Sequence, residues 1–280
     1  MERIQRALEL ANSDSWRISV RRKADADPPH ADHHSPEERA MLREAAQAAE
    51  PASLSTLAID RARLRARKVV FPEDSSPAAR AYRMLRAQVL HRVRSSGLGA
   101  IGIVSAASGE GKTLTAVNLA LSLAADPNHS VTLIDLDLRR PAVAATLGLA
   151  PSLGLDSWLT AEHPLESVLY GLEGLERLSL VPTLAPLVAA SEALAGDKAR
   201  DLIETLRATE RRRVLIADLP PALLSDHVLT VAPLLDGFVL VVTEGQTHRE
   251  DVERVFELLG RDRIVGTVLN RSSDSEQRAY

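Results

Sequence analysis

Six short, almost continuously apolar segments recur between residues 100 and 270 of the chain. They span residues 100–105, 131–135, 178–182, 214–218, 237–243 and 264–270, lengths that suit strands rather than helices. Helical spacing of apolar residues appears at 77–93, 113–125, 199–208, 223–233 and 250–259. Strands that are apolar on both faces are typical of a parallel sheet covered by helices on both sides. We therefore predict an α/β fold: a doubly wound, mostly parallel sheet with helices on both faces.

The chain before residue 76 lacks this alternation. Residues 1–75 combine polar helical patterns with a stretch rich in proline, aspartate and histidine around Pro28, a composition typical of a linker. The last residues, 272–280, are mainly polar. We therefore predict a helical or disordered N-terminal extension over 1–75, an α/β domain over 76–271 and a C-terminal tail over 272–280.

Composition narrows the classes of function. The chain has 280 residues, is 45% hydrophobic and carries a formal net charge of −4. It lacks the overall positive field that recruits nucleic acid, so we expect no nucleic-acid partner. No apolar run reaches the ~18 residues needed to cross a bilayer, so we expect no direct membrane span. The absence of cysteine excludes disulfides and thiolate–metal sites and fits a cytoplasmic protein.

A loop suited to holding phosphate follows the first apolar segment. It reads Ser108-Gly109-Glu110-Gly111-Lys112-Thr113 and leads into a helix at Leu114. Small residues at a strand-to-helix junction let backbone N–H groups turn toward phosphate oxygens. In such a loop the lysine reaches the β- and γ-phosphates and the threonine hydroxyl binds Mg²⁺. We predict nucleotide contacts along residues 108–114, although the usual first glycine is replaced by Ala106. The competing interpretation is a glycine-rich turn with a surface lysine.

A second glycine pattern, Gly97-Leu98-Gly99-Ala100-Ile101-Gly102, matches the G-x-G-x-x-G dinucleotide fingerprint. That fingerprint works after a strand, at the start of a helix, whereas this pattern precedes its strand. We interpret it as a turn that leads into the sheet.

Aspartates stand at the ends of two further strands. Asp135 and Asp137 follow the apolar residues 131–134, and Asp218 ends the segment 214–218. Residues two apart share one face of a strand, so both carboxylates of the pair can point the same way. Paired carboxylates repel each other unless a cation lies beside them, and a magnesium–nucleotide would supply one. Each aspartate alone is more simply a turn residue or helix cap, but three at strand carboxyl ends indicate a ligand site.

These motifs resemble those of the bacterial tyrosine kinases that control capsule and exopolysaccharide synthesis. The stretch Asp135-x-Asp137-x-Arg139-Arg140-Pro141 is similar to that family's additional Walker A′ motif. Likewise, Asp218-Leu219-Pro220-Pro221 is similar to its Walker B motif and Gly109-Glu110-Gly111-Lys112-Thr113 to its Walker A motif. The resemblance covers about residues 77–271. It implies that Asn270, at the end of the last strand, lies near the adenine.

The resemblance implies a P-loop NTPase scaffold like that of partition ATPases. It implies ATP- and Mg²⁺-dependent phosphorylation of tyrosine, often on the kinase's own tail. Lys112 and the loop would hold the phosphates, and Thr113, Asp135 and Asp218 would hold magnesium. Either Asp135 or Asp137 would orient or deprotonate the acceptor hydroxyl. The predicted catalytic residues are therefore Lys112, Asp135, Asp137 and Asp218.

The same resemblance implies partners. Members of this family without membrane helices are usually activated by the cytoplasmic tail of a separate membrane protein. We therefore expect a homo-oligomer that a membrane-anchored polysaccharide co-polymerase or activator recruits from the cytoplasm to the inner face of the membrane.

Two features depart from the family pattern. The tail carries one tyrosine, Tyr280, in place of a cluster, and this residue is either the phospho-acceptor or an unmodified terminal residue. The ring-forming helix motif Glu-x-x-Arg-x-x-Arg here reads Arg80-Ala81-Tyr82-Arg83-Met84-Leu85-Arg86. An arginine replaces the acid, and a solvated helix face is the competing interpretation of the remaining arginines.

Two other classes of function stay open. A partition-type regulatory ATPase would usually carry a second lysine early in the phosphate loop, where this chain has Ala107. A degenerate scaffold would bind ATP and regulate polysaccharide length through contacts alone, and the single tail tyrosine favours it. Phosphate release without phosphotyrosine would indicate the first class, and nucleotide binding with neither activity would indicate the second.

Overall fold

One eight-stranded sheet forms the centre of the computed structural model, which describes residues 54–209 and 212–272. The strands lie in the order β1-β4-β5-β3-β6-β2-β7-β8. Every neighbouring pair is parallel except β4 and β5, which are antiparallel. The strands are β1 (Ser55–Leu57), β2 (Ala100–Ser105), β3 (Ser130–Asp135), β4 (Tyr170–Leu172), β5 (Leu178–Val181), β6 (Arg213–Asp218), β7 (Gly237–Thr243) and β8 (Ile264–Asn270).

Helices connect the strands, and within the described residues their lengths run from five to twenty residues. They are α1 (Arg61–Ala66), α2 (Pro77–Ser96), α3 (Lys112–Ala124), α4 (Val143–Leu147), α5 (Leu155–Thr160), α6 (Ala190–Ala195), α7 (Asp197–Thr209), α8 (His227–Val231) and α9 (Arg249–Leu259). No helix in these described parts of the chain is both long and apolar enough to cross a membrane.

Both faces of the sheet are covered. On one face, α1, α2 and α3 pack with alternate strand residues into the main core, whose sheet side includes Ile101, Ile103, Val131, Leu133, Val214 and Ile216. On the other face, α7 packs against β6, and its buried Leu202, Ile203 and Leu206 face inward. The predicted fold class, a doubly wound and mostly parallel sheet, is confirmed.

Local sequence explains where α2 begins and ends. The Ser76 hydroxyl accepts from the Ala79 N–H at 3.1 Å, and Pro77 occupies the first turn, where it needs no hydrogen-bond partner. The helix ends at Gly97, which has a positive φ of 69°. The glycine pattern at 97–102 is therefore a helix cap followed by β2, as interpreted from its position.

The compact unit begins before the boundary that we predicted at residue 75. The described residues from Leu54 onward form one compact unit. Leu64, Val69 and Phe71 are buried in the main core, and β1 pairs with β4. The sequence prediction missed β1 because it has three residues, and α1 because Leu64 is its single buried side chain. The structural elements predicted before residue 54 lie outside the described residues.

Candidate active site

The predicted site residues meet at the carboxyl ends of the central strands. In the sheet, β6 lies between β3 and β2. Asp135 and Asp218 are register partners at the ends of β3 and β6, and the phosphate loop follows β2. Strands 3, 6 and 2 are thus adjacent in space although they are distant in sequence, which is how open α/β sheets assemble ligand sites.

The phosphate loop has the backbone shape that its glycines allow. Gly109 and Gly111 adopt positive φ values of 80° and 93°, a region that disfavours other residues. Among the described residues, Lys68 and Arg271 are the non-glycine residues with a positive φ. Ala106 therefore does not adopt a backbone conformation that requires glycine. The absence of the usual first glycine therefore does not disturb this loop. Ser108 and Gly109 are exposed at its tip.

Lys112, the first residue of α3, lies among the acidic residues. Its Nζ donates to Asp137 Oδ2 at 2.7 Å and lies 3.8 Å from Asp218 Oδ1. Burial alone would lower the pKa of Lys112, but the carboxylates of Asp218, Asp137 and Asp135 raise it above its ordinary value. The lysine therefore stays charged, and its ammonium links the Walker A′ and Walker B motifs.

Asp218 is fully buried and only partly satisfied. Its Oδ2 accepts from the Thr113 hydroxyl at 2.6 Å, whereas Oδ1 has no hydrogen-bond partner. Burial raises the pKa of Asp218 to about 6, although Lys112 and Thr113 oppose the rise. A hydroxyl and a carboxylate oxygen are ligands that Mg²⁺ prefers, and it commonly takes one or two carboxylates together with substrate phosphates. The unpartnered oxygen beside Thr113 therefore fits a magnesium–nucleotide.

Asp135 differs from its neighbours because backbone groups satisfy it. Its Oδ2 accepts from the N–H groups of Ala142 and Val143, both at 3.0 Å, and its Oδ1 accepts from the Asp137 N–H at 3.2 Å. Burial and the nearby Asp218 carboxylate raise the pKa of Asp135 well above its ordinary value. Asp137 is almost as buried, but one backbone N–H, that of Arg140, donates to its Oδ1 at 3.1 Å, and its Oδ2 accepts from the Lys112 ammonium.

Two residues predicted to contact nucleotide make internal contacts in this structure. The Glu110 carboxylate accepts from the Ala107 N–H and from the Thr247 hydroxyl. The Asn270 amide donates to the Glu110 carbonyl at 2.9 Å. The sequence analysis missed Thr247 because a single hydroxyl after β7 belongs to no motif. The nucleotide contacts of residues 108–114 and Asn270 stay predictions.

The three tyrosines differ in accessibility. Tyr170 is buried, and its hydroxyl donates to the Leu153 carbonyl at 3.0 Å and accepts from the Leu153 N–H. Tyr82 is half-buried on α2, and Tyr280 lies outside the described residues. Burial therefore argues against Tyr170 as an acceptor.

The arginines of the helix motif make contacts within the domain. Arg83 Nη1 donates to the carbonyls of Pro72 and Asp74 at 2.9 and 3.0 Å, and Arg86 Nη1 donates to the Ser122 carbonyl at 3.0 Å. Both side chains are half-buried, whereas Arg80 is exposed. The competing interpretation of a fully solvated helix face does not hold for Arg83 and Arg86.

Comparison with known proteins assigns the family. A family model described as ParA, NUBPL iron-transfer P-loop NTPase, matches residues 99–276. The chain belongs to this family. The chain is similar to the tyrosine-protein kinase YwqD of Bacillus subtilis, with 28% identity over 221 residues that cover 78% of this chain and 91% of YwqD.

Solved structures agree with this placement. The kinase domain of the Escherichia coli tyrosine kinase ETK has a TM-score of 0.63 and 25% identity, covering 75% of this chain and 82% of that one. The VpsO kinase domain has a TM-score of 0.60 and 27% identity, covering 69% of this chain and 95% of that one. The resemblance to the bacterial tyrosine kinases, and with it the P-loop NTPase scaffold, is confirmed.

Proposed function

We propose that this protein is an ATP-dependent protein-tyrosine kinase that regulates the polymerisation and export of exopolysaccharide or capsule. The observation that carries the proposal is the contact of Lys112 with both Asp137 and Asp218, which brings all three sequence motifs together at one point. The tyrosine-kinase names of the similar proteins support the choice of acceptor. Membership of the ParA family, taken by itself, supports nucleotide binding but not a particular acceptor for the phosphate.

Each residue of the cluster has a proposed role. Phosphoryl transfer depends on positioning and charge neutralisation more than on covalent chemistry. Lys112 would release Asp137 and turn to the β- and γ-phosphates, which the loop amides also bind. The Oδ2 of Asp137 would then be free to orient or deprotonate the acceptor hydroxyl, while its Oδ1 accepts from the Arg140 N–H at 3.1 Å. We prefer it to Asp135, whose oxygens already accept three backbone N–H groups.

Magnesium has a proposed place in the same cluster. Thr113 and Asp218 would hold the ion beside the phosphates, where it supplies charge neutralisation. The Thr113 hydroxyl, which now donates to Asp218, would rotate so that its oxygen faces the ion. Asp135 would support this arrangement from behind by fixing the start of α4.

The substitution Lys112→Met tests the proposal. We expect it to abolish both ATP turnover and phosphotyrosine, measured by phosphate release and anti-phosphotyrosine blotting of the purified protein. Lys68→Met, at an exposed lysine far along the sequence from the loop, is the matched control. Phosphotyrosine that persisted in the Lys112→Met protein would refute the site assignment.

The acceptor needs a separate experiment. We propose Tyr280 as the phosphorylated residue because Tyr170 is buried and the chain has three tyrosines in all. Mass spectrometry of the protein after incubation with ATP and Mg²⁺ should find phosphate on Tyr280, and Tyr280→Phe should remove it. Phosphate found on Tyr82 or Tyr170 instead would contradict this choice.

A partition-type regulatory ATPase is the second candidate function. The match to the ParA family model favours it. Magnesium-dependent release of phosphate with no phosphotyrosine on any tyrosine would support the ATPase over the kinase. Binding of ATP with neither activity would instead support a scaffold that acts through contacts.

We also propose that a membrane-anchored co-polymerase or activator recruits the protein to the inner face of the membrane, where it forms an oligomer. The proposal rests on the family resemblance. Addition of the activator's cytoplasmic segment should raise the rate of ATP turnover and increase the sedimentation coefficient of the complex. An unchanged rate with a bound activator would contradict the activation step.

A further inference from the structure

Glu110 lies inside the phosphate loop but faces away from solvent. The residue is 1% exposed, and both of its carboxylate oxygens have donors. Oε2 accepts from the Ala107 N–H at 2.8 Å, and Oε1 accepts from the Thr247 hydroxyl. The carboxylate therefore connects the start of the phosphate loop to the turn that follows β7.

Thr247 extends this connection into the sheet. Its oxygen accepts from the Thr243 N–H at 2.8 Å while its hydroxyl hydrogen goes to Glu110. Thr243 is the last residue of β7 and is buried. The Thr247 side chain thus links the end of β7 to the phosphate loop.

The backbone carbonyl of Glu110 is held from the same side. It accepts from the Thr243 hydroxyl at 3.1 Å and from the Asn270 amide at 2.9 Å. Next to it, a Cβ on Gly111 would lie 2.1 Å from the Asn270 amide nitrogen. The loop therefore packs directly against the ends of β7 and β8, and Glu110 is the residue through which most of these bonds pass.

Charge explains why the side chain is turned inward. A carboxylate that pointed into the ring of loop amides would repel the triphosphate and compete for its donors. The inward orientation removes that repulsion, and the same negative charge becomes an acceptor that fixes the loop. The amide groups at the tip, next to the exposed Ser108 and Gly109, then stay free for phosphate.

We propose that Glu110 is a positioning residue, which acts through Ala107 and Thr247 to hold the phosphate loop in its binding shape before the nucleoside triphosphate arrives. The inference rests on the proposed nucleotide-binding function, but not on the transfer of phosphate to tyrosine. It concerns the Glu110 side chain, and nucleotide contact by the Glu110 backbone stays a prediction.

Paired substitutions in the full chain test the inference. Glu110→Gln keeps an acceptor for the Ala107 N–H and can donate to the second lone pair of the Thr247 hydroxyl. Glu110→Leu removes both bonds. Thr247→Val removes the bond to Glu110 and also the bond from the Thr243 N–H, whereas Thr247→Ser keeps both. We expect Kd for ATP, measured by calorimetry with Mg²⁺, to rise about tenfold in the Leu and Val variants and to stay within about threefold of the parent in the Gln and Ser variants.

Two further measurements separate positioning from a merely structural role. The KM for ATP should rise in the Leu and Val variants while kcat for ATP turnover changes less, because the lost interaction serves binding. In the nucleotide-free protein, the exchange of the Ala107 amide hydrogen should speed up about tenfold in the same variants, with the amides of β2 unchanged. If Glu110→Leu fails to fold, the Thr247 pair carries the test, because Thr247 lies in a half-buried turn.

The outcomes are distinct. If Glu110→Gln binds ATP as poorly as Glu110→Leu, the carboxylate charge itself serves the ligand and the inference is overturned. Unchanged ATP affinity in both the Leu and Val variants would overturn it as well. A parent protein that binds ATP but phosphorylates no tyrosine would remove the proposed kinase activity and leave the positioning role testable. A parent that binds no nucleotide would overturn both.

Discussion

At the scale of single residues, three aspartates with the same sequence signature have three different environments. Each follows or ends an apolar strand, yet backbone N–H groups satisfy Asp135, a lysine pairs with Asp137, and Asp218 keeps one oxygen without a hydrogen-bond partner. The differences arise from what packs beside each carboxylate. Substitution of each residue should therefore affect a different property.

Asp137→Asn should impair chemistry while it spares binding. We expect the rate of phosphoryl transfer to fall by about 10²–10⁴, the usual contribution of a general base. Affinity for ATP should stay the same or rise, because one negative charge near the phosphates is lost. Rapid-quench transfer assays and calorimetry measure the two quantities.

Asp135→Asn is the matched comparison. An amide offers one acceptor oxygen where the carboxylate offers two, so at least one of the three backbone N–H groups loses its partner. We expect a loss of about 1–3 kcal/mol in the free energy of unfolding, measured by denaturant titration. If Asp135→Asn lost activity at unchanged stability, and Asp137→Asn did the opposite, the two roles would have to be exchanged.

The residue types of the site were predictable from the sequence, but their partners were not. Lys112, Asp137 and Asp218 follow from motif spacing and from their place at strand ends. The bonds between Glu110 and Thr247, or between Asn270 and Glu110, join residues more than a hundred positions apart. No local pattern records such pairs, because they depend on how β7 and β8 are placed beside β2.

At the scale of elements, β2 packs closely against side chains on and beside its neighbouring strands β6 and β7. Gly102 is the last glycine of the misleading fingerprint, and its role is steric. A Cβ there would lie 2.6 Å from Leu219 Cδ1 and 2.8 Å from Phe238 Cδ1. The absence of a side chain at Gly102 therefore lets Leu219 and Phe238 pack directly against the backbone of β2.

Gly102→Ala should destabilise the domain by about 1–3 kcal/mol, the usual cost of overpacking a core. Gly266→Ala is the matched control, since it is also a strand glycine but has no atom within 4 Å of the added carbon. Thermal melts of both variants measure the effect. Equal destabilisation of the two variants would indicate that strand propensity, not the contact with Leu219 and Phe238, is responsible.

Asp236 ties three elements together at the opposite end of β2. Its Oδ2 accepts from Gly99 N–H at 2.6 Å, Ala100 N–H at 2.8 Å and Arg207 Nη2 at 2.6 Å. Burial alone would raise the pKa of Asp236, but these donors hold it below its ordinary value. The carboxylate therefore contributes stability that is present above the unfolded pKa of about 3.9 and is lost as the pH falls through the lower folded pKa.

Asp236→Asn should remove this acid-sensitive contribution. We expect the variant to be less stable than the parent at pH 7 by about 1–2 kcal/mol, and the difference should shrink as the pH is lowered below 4. Denaturant titrations at a series of pH values measure it. A difference that stayed constant down to acidic pH would contradict the assignment of the effect to the Asp236 charge.

Elements with strong periodicity were predicted to within a few residues, whereas weak ones were missed. The bounds of β2, β7 and β8 agree with the sequence pattern because those strands are continuous apolar runs between turn residues. The helix predicted at 223–233 is shorter, since regular helix is limited to His227–Val231 before a 3₁₀ turn. The antiparallel pairing of β4 with β5 was not predicted, because β4 has only three residues and carries no recognisable sequence pattern.

At the scale of the whole molecule, the domain depends on a segment that composition assigned to a linker. Residues 54–75 supply an edge strand and three of the large buried side chains, Leu64, Val69 and Phe71. Asn118 on α3 fixes the segment by accepting from the Val70 N–H at 2.9 Å and donating to the Lys68 carbonyl at 3.2 Å. The sequence did not reveal this because the buried residues are few and separated by exposed arginines.

The position of the boundary decides which truncations fold. A chain that begins at residue 54 keeps all the contacts described above and should melt cooperatively near the temperature of the full chain. A chain that begins at residue 76 exposes the apolar surface that Leu64, Val69 and Phe71 cover, at about 1.5–3 kcal/mol for each side chain. That sum approaches the whole stability of a typical domain, about 5–15 kcal/mol, so the shorter chain should lack a cooperative transition by calorimetry. Leu64→Ala in the full chain is the intermediate case, with an expected loss of about 2–5 kcal/mol. If the chain from 76 melted like the chain from 54, these three side chains would contribute little to stability. The domain boundary would then lie near residue 75, as predicted from composition.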